Sequence, residues 1–189
     1  ADTTPSFRFH ALFRDFLQAE LARQDPEAIP GLHRRAAAWY RTRRRYAPAV
    51  EHALGAGDET LAADIMAECA LDFVAIGQVE TVAGWLDALS PATISAQPEL
   101  QRPRAYAMIA LHRYAEAEDA LVHCRRGACG GSALEVTILL ALMHEFADRH
   151  DLARAEIAEY TPLLDSRKDM LNGIARNILA YHAISCGAF

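Results

Sequence analysis

GQVETVAGWL (77–86), HRYAEAEDAL (112–121) and HDLARAEIAE (150–159) decide the fold of this chain. Laid under one another, with GAF (187–189) as the start of a fourth copy, they begin at Gly77, His112, His150 and Gly187, spacings of 35, 38 and 37 residues. The third position of each copy is apolar: Val79, Tyr114, Leu152 and Phe189. The sixth is small or β-branched: Val82, Ala117 and Ala155. Seven residues ahead of each start stand Ala70, Ala105, Met143 and Ala180, small in three cases of four. A turn feeding a helix that must lie close against the helix before it has these requirements, because small side chains let the two backbones approach. Repeats of this length are helix hairpins, and hairpins stacked side by side bury together a face that none can bury alone. The expected fold class is therefore all-α, a helical-repeat solenoid of antiparallel helix hairpins.

Composition agrees with that reading. The 189 residues are 52% hydrophobic and 23% charged, which excludes disordered and fibrous chains. Thirty-eight are Ala, against 10 Gly and 8 Pro, and Ala is the strongest helix former. Outside the repeats the helical period continues. Phe9, Leu12, Phe13, Phe16, Leu17 and Leu21 form one stripe of an amphipathic helix that needs a partner. Ile29, Leu32, Ala36, Trp39 and Tyr40 mark a second helix, and AVEHAL (49–54) a third, closed at Gly55-Ala56-Gly57. Asp58 is the expected N-cap of a longer helix running to Gly77. The longest apolar stretch, Val136 to Met143, is eight residues, far short of the roughly 20 needed to cross a membrane, so no membrane partner is expected. Four scattered Cys and no signal segment point to a reducing cytoplasm. Opening on Ala1 and stopping at Phe189, the chain reads as a piece of a longer protein.

Charge divides the chain. Net charge is −6, yet residues 1–57 carry nine Arg against six acids, and residues 58–189 carry ten bases against nineteen acids. Two regions are expected accordingly, 1–57 and 58–189. The run LHRRAAAWYRTRRR (32–45) holds Arg34, Arg35, Arg41, Arg43, Arg44 and Arg45. No recognition-helix motif accompanies it and the remainder is acidic enough to repel phosphate, so these cations are assigned to the solvated face and last turn of a helix.

FRFHALFRDFLQAEL (7–21), LHRRAAAWY (32–40), AVEHALGAGD (49–58) and GQVETVAGWLDALSP (77–91) together resemble the large ATP-binding transcriptional regulators of the LuxR class, of the maltose-regulon-activator type, among the signal-transduction ATPases with numerous domains. The repeats themselves resemble tetratricopeptide-like units. The resemblance covers nearly the whole chain and departs at RTRRRYAP (41–48), where the family has a short acidic or Gly-containing turn. It implies that residues 1–57 are the C-terminal part of a winged-helix subdomain with its linker helices, and 58–189 a sensor region. It also implies a parent that binds ATP or ADP through one further domain and DNA through another. Neither a phosphate loop nor a helix-turn-helix is present in these 189 residues, so this chain is expected to hold no cofactor and to touch no DNA itself. His10 matches the histidine that contacts nucleotide phosphate in related switch proteins, which implies a nucleotide-sensing role in the parent.

No catalytic constellation is present and a non-enzyme is expected. His144, Glu145 and Asp148 evoke a zinc helix, but Asp148 stands where the second His belongs, so no metal is expected. Cys124 and Cys129 lack a second pair and lie with Gly127, Gly130 and Gly131 in an inter-repeat loop. In tetratricopeptide-like stacking the first helix of each hairpin supplies the inner face. Counting back from the repeat starts places Arg102, Tyr106, Thr137, His144, Asp148, Asn177 and Tyr181 on one concave strip, suited to a small-molecule effector or a protein partner. The rival is a general docking scaffold for peptides or helices. An apolar strip over Leu171 to Ile184, with Phe189, is expected to favour self-association.

Overall fold

A computed structural model describes residues 9–128, 133–158 and 170–185. Among the described residues there are eleven α-helices and no strand, which is the all-α helical-repeat class the sequence calls for. The helices are α1 (Ala11–Gln24), α2 (Ala28–Thr42), α3 (Tyr46–Gly55), α4 (Glu59–Ala75), α5 (Val79–Asp87) and α6 (Pro91–Ala96), followed by a 3-10 turn (Pro98–Leu100). Then come α7 (Gln101–Ala110), α8 (Tyr114–His123), α9 (Ala133–Phe146), α10 (His150–Ala158) and α11 (Met170–Ser185). The chain divides into two compact units, 1–62 and 63–189.

One turn, used five times, shapes both units. Each joins two helices through a single residue in the left-handed region: Arg44 (φ 54°), Gly57 (67°), Gly77 (82°), His112 (59°) and Asp148 (55°). At every one the amide of that residue donates to the carbonyl three back, and the next amide to the carbonyl five back. At Gly77 these bonds are to Val74 at 2.9 Å and Phe73 at 2.9 Å; at Asp148 they are to Glu145 at 3.2 Å and His144 at 2.8 Å. Carbonyls that the helix end would otherwise leave bare are satisfied by backbone alone, so side-chain identity matters little beyond the cost of positive φ. The next helix starts two residues later in all five cases.

Counted from the left-handed residue, burial is periodic. Five residues on stand Ala49, Ala62, Val82, Ala117 and Ala153; nine on stand Ala53, Met66, Leu86, Leu121 and Ile157; all ten are buried. This corrects the third copy of the repeat. Its joint is Asp148, two residues before His150, so Ala153 and not Ala155 is its close-packed residue. Ala155 is exposed, and Leu152 is 50% exposed. In the facing row Ala141, fully buried, replaces Met143, and the one large residue in that row disappears. Phe189 lies outside the described residues, as do Cys129, Gly130 and Gly131; the side chain of Leu171 is not described either.

In unit 63–189, α7 pairs with α8 and α9 with α10 across three-residue connections, which makes both pairs antiparallel. α5 packs on α7, and α11 packs on α9 and α10. Leu134, Ile138 and Ala141 of α9, Ala153 and Ile157 of α10, and Ala175 and Ile178 of α11 make one core. Burying each large aliphatic is worth roughly 1.5–3 kcal/mol. Arg113, which follows the left-handed His112, grips Asp87 at the end of α5 through two bonds of 2.8 and 2.9 Å and Glu116 of α8 through two of 2.7 and 2.8 Å.

In unit 1–62, α2 packs on α3. Asp58 caps α4 as expected, its Oδ1 accepting from the Leu61 amide at 3.1 Å, while Oδ2 takes Arg34 Nε at 2.7 Å. Those two donors, Arg34 first, hold its carboxyl below the usual carboxylate range. Two more cations of the Arg run stack on rings of α2: Arg43 lies 4.0 Å over the Trp39 ring and Arg45 5.1 Å over Tyr40. Leu32 and Trp39 are more exposed than the sequence stripe requires, and Ala37 is the buried residue of α2. His33 and His52 bring their Nδ1 atoms within 3.0 Å, and Gly55 leaves the room, since a Cβ there would sit 2.8 Å from His33 Cε1. The stripe on α1 buries none of its residues: Phe9, Leu12, Phe13, Phe16 and Leu17 are all exposed.

A direct test of the turns follows. No atom stands within 4 Å of a Cβ built on Gly77, so Gly77→Ala costs only backbone strain, about 1 kcal/mol of unfolding free energy. Arg44→Gly relieves strain of the same kind and gains about 0.5 kcal/mol once the extra freedom of glycine in the unfolded chain is subtracted. Urea midpoints of the two variants should move in opposite directions.

Candidate functional site

Of the seven residues expected on the inner face, the structure brings three into one groove and gathers two elsewhere. α9 and α11 lie side by side in unit 63–189, and between them runs a groove of about 460 Å³. α11 presents Ile174, Asn177, Ile178 and Tyr181 to it, the i, i+3, i+4, i+7 face of a helix. From the other side come Leu142, Glu145 and Phe146 of α9 and Asp148 at the joint. Asp148, Asn177 and Tyr181 are the sequence-expected members. The Asp148 side chain is 96% exposed at the rim, whereas that of Glu145 is 6% exposed.

Glu145 is the unusual group. Its Oε1 lies 3.0 Å from His150 Nδ1, and its Oε2 is buried with no hydrogen-bond partner among the described residues. A buried carboxylate oxygen gives up its water and, without a donor, recovers nothing. His150 opens α10, stands 4.0 Å from Asp148 through Nε2, and its ring meets that of Tyr181 at a centroid distance of 6.2 Å. Ile184, further along α11, is exposed as Tyr181 is.

Arg102 and Tyr106 of α7 converge on Glu135 of α9 instead. Arg102 Nε donates to Glu135 Oε1 at 2.7 Å and the Tyr106 hydroxyl donates to the same oxygen at 2.9 Å. Burial, then the Glu135 charge, pushes the Tyr106 phenol well above its usual range. This trio is occupied with itself and ties two successive hairpins together.

Thr137 and His144 are buried in α9. Their displacement has the same origin as the repeat correction. Counting back from His150 selects them; counting back from Asp148 by the same offsets selects Glu135, Ile138, Leu142, Glu145 and Phe146. Four of these five are the groove residues and the partner of Arg102. His144 retains a physical consequence. Its Nδ1 has no partner, and burial lowers its pKa from the ordinary 6.5. The unfolded chain then binds a proton that the folded one refuses, so stability falls as pH drops below about 6.5. His52, also lowered by burial and by His33, adds to the same slope. Replacing His144 by Leu should flatten the decline of thermal stability between pH 7 and 5, read by circular dichroism melts.

His10 is exposed and precedes α1; its side chain makes no capping bond. Among the described residues no group of three or more His, Cys, Asp or Glu is placed to hold a metal ion, and no helix is long and apolar enough to cross a membrane. Cys124 is buried.

No family model matches the chain, and no solved structure does. It is similar to the serine/threonine-protein kinase PknK of Mycobacterium tuberculosis, 31% identical over 188 residues, covering 94% of this chain and 17% of the kinase. It is similar also to the HTH-type transcriptional regulator MalT of Vibrio parahaemolyticus, 30% identical over 108 residues, 57% of this chain and 12% of the regulator. The MalT of Cronobacter sakazakii is 28% identical over 125 residues, 66% of this chain and 14% of that protein. The chain thus spans about a sixth of the length of the kinase and about an eighth of the regulators.

Proposed function

We propose that this chain is the sensor region of a large bacterial regulator of the LuxR, ATP-binding class, and that the region is non-catalytic. The observation that carries the reading is that one stretch is shared by proteins whose names describe different outputs, a protein kinase and transcriptional regulators. A segment common to both serves a step upstream of either output, which is where sensing belongs. In this reading the rest of the parent supplies ATP binding and DNA binding, His10 reports on the nucleotide there, the parent works in the cytoplasm, and residues 1–57 are the tail of a winged-helix subdomain.

The α9–α11 groove is where an effector or partner is read. It combines an apolar floor with a few polar groups that fix orientation, which is the usual make-up of a ligand pocket. A ligand that binds one state of the parent better than another shifts its populations by that difference in affinity. A second reading, a docking scaffold for a peptide, draws support from Tyr181, exposed in the groove, and Ile184, exposed further along α11.

Calorimetry of the 189-residue chain against metabolites and against capped peptides tests both. A binder whose affinity drops at least tenfold in Asn177→Ala and Tyr181→Ala, with folding unchanged, supports the groove; a metabolite argues for the sensor and a peptide for the scaffold. Binding untouched by either substitution would place recognition elsewhere.

A further inference from the structure

We propose that the α9–α11 groove selects a cation, a protonated amine or a guanidinium borne on an apolar body. The inference rests on the groove reading above and adds the class of ligand to it.

Three observations lead there. First, the buried Glu145 leaves Oε2 without a donor while His150 takes Oε1. A buried acceptor that no described residue satisfies is matched best by a donor brought from outside, and a charged donor makes the stronger bond. Second, the second carboxylate, Asp148, stands at the rim, and among the described residues no Arg or Lys lines the groove. Unit 63–189 is also acidic as a whole, so the local field attracts cations and repels anions. Third, Phe146 and Tyr181 present aromatic rings on either side, the walls against which ammonium and guanidinium groups are held in water.

The competing ligand classes fit less well. An anion would meet two carboxylates. A bare metal ion lacks ligands, since no group of three donors is placed to hold one among the described residues. A polyol would set its hydroxyls against Leu142, Ile174 and Ile178, which offer no hydrogen bond. The apolar floor instead asks for an aliphatic or aromatic body behind the charge, and about 460 Å³ accommodates one of small-molecule size. The same chemistry is available from a free amine and from an Arg side chain of a partner, and the test separates them.

The 189-residue chain is titrated by calorimetry at low ionic strength with four probes. Two are cations, 2-phenylethylamine and acetyl-Leu-Arg-Leu-amide. Two are their neutral counterparts, 2-phenylethanol and the same peptide with citrulline for arginine. The cations are expected to bind at least tenfold tighter than their counterparts, a preference that shrinks as salt is raised. The probe showing the larger preference identifies the source as free amine or partner side chain. Glu145→Gln should erase most of the preference. Asp148→Asn, at an exposed left-handed position that Asn tolerates, should lower it about twofold to threefold without touching the fold. Equal affinity for charged and neutral probes, or a preference that both variants retain, overturns the cation assignment and leaves the groove standing. Binding of none of the four overturns the assignment together with the groove.

Discussion

Ala153→Leu should cost about 2–3 kcal/mol of unfolding free energy, and Ala155→Leu, two residues away on the same helix, less than about 0.5 kcal/mol. Ala153 is fully buried in the core that α9, α10 and α11 share, where three added carbons have no space and must displace Ile138, Ile157 or Ala175. Ala155 faces solvent, and Leu is nearly as good a helix former as Ala. The pair decides where the third repeat begins. If its joint were His150, the costs would be reversed, because Ala155 would take the close-packed place. Urea unfolding followed by circular dichroism reads both, and equal costs would remove the register on which the groove is built.

Arg102→Ala should cost about 2 kcal/mol. Glu135 is almost wholly buried and shares one oxygen between Arg102 and Tyr106, so removing the guanidinium leaves a buried negative charge with less to balance it. Breaking fully buried pairs costs about 3–5 kcal/mol; Arg102 is a third exposed, and water entering the vacated space reduces the penalty. Replacing both partners by apolar residues, Arg102→Met with Glu135→Leu, should recover most of the loss. The two single variants and the double form a cycle whose coupling of 1 kcal/mol or more, an order of magnitude set by charged hydrogen bonds, measures the pair. A coupling near zero would mean that Arg102 contributes only packing.

Much of the architecture is legible in the residues themselves. Gly57 and Gly77 mark two of the five joints because glycine is the natural occupant of positive φ, and Asp58 announces the helix it caps. Arg44, His112 and Asp148 occupy the same conformation without any compositional sign, since the turn is held by backbone bonds that every residue can make. His112 is recoverable because HRYAEAEDAL aligns with GQVETVAGWL; Asp148 is not, because HDLARAEIAE also reads acceptably two residues late. The missed signal lay in the small residues: Ala141 and Ala153 restore both close-packed rows, while the later frame needs the bulky Met143 in one of them.

The candidate site suffered from that same two-residue offset. A helical face turns by about 200° in two residues, which exchanges the side facing a groove for the side facing the core. Thr137 and His144 therefore lie off the groove face of α9, which Leu142, Glu145 and Phe146 supply, while Glu135 takes Arg102. Arg102 and Tyr106, counted from the correctly placed His112, and Asn177 and Tyr181 on α11 were unaffected. What periodicity could not supply at any register is the missing partner of Glu145 Oε2, which depends on where His150 and the neighbouring helices end up in space.

The five backbone-held joints also bear on how the molecule comes apart. In unit 63–189 α7 meets α8, α9 meets α10, and each pair leans on the next in sequence, so few contacts require distant stretches of polypeptide to find each other. Chains wired in this way fold quickly and lose cooperativity readily, because a lesion in one pair need not bring down another. Trp85 in the α5 region and the tyrosines of α8 and α11 would then report different midpoints as denaturant rises, with melting that spreads from one hairpin to its neighbour and not through the whole unit at once.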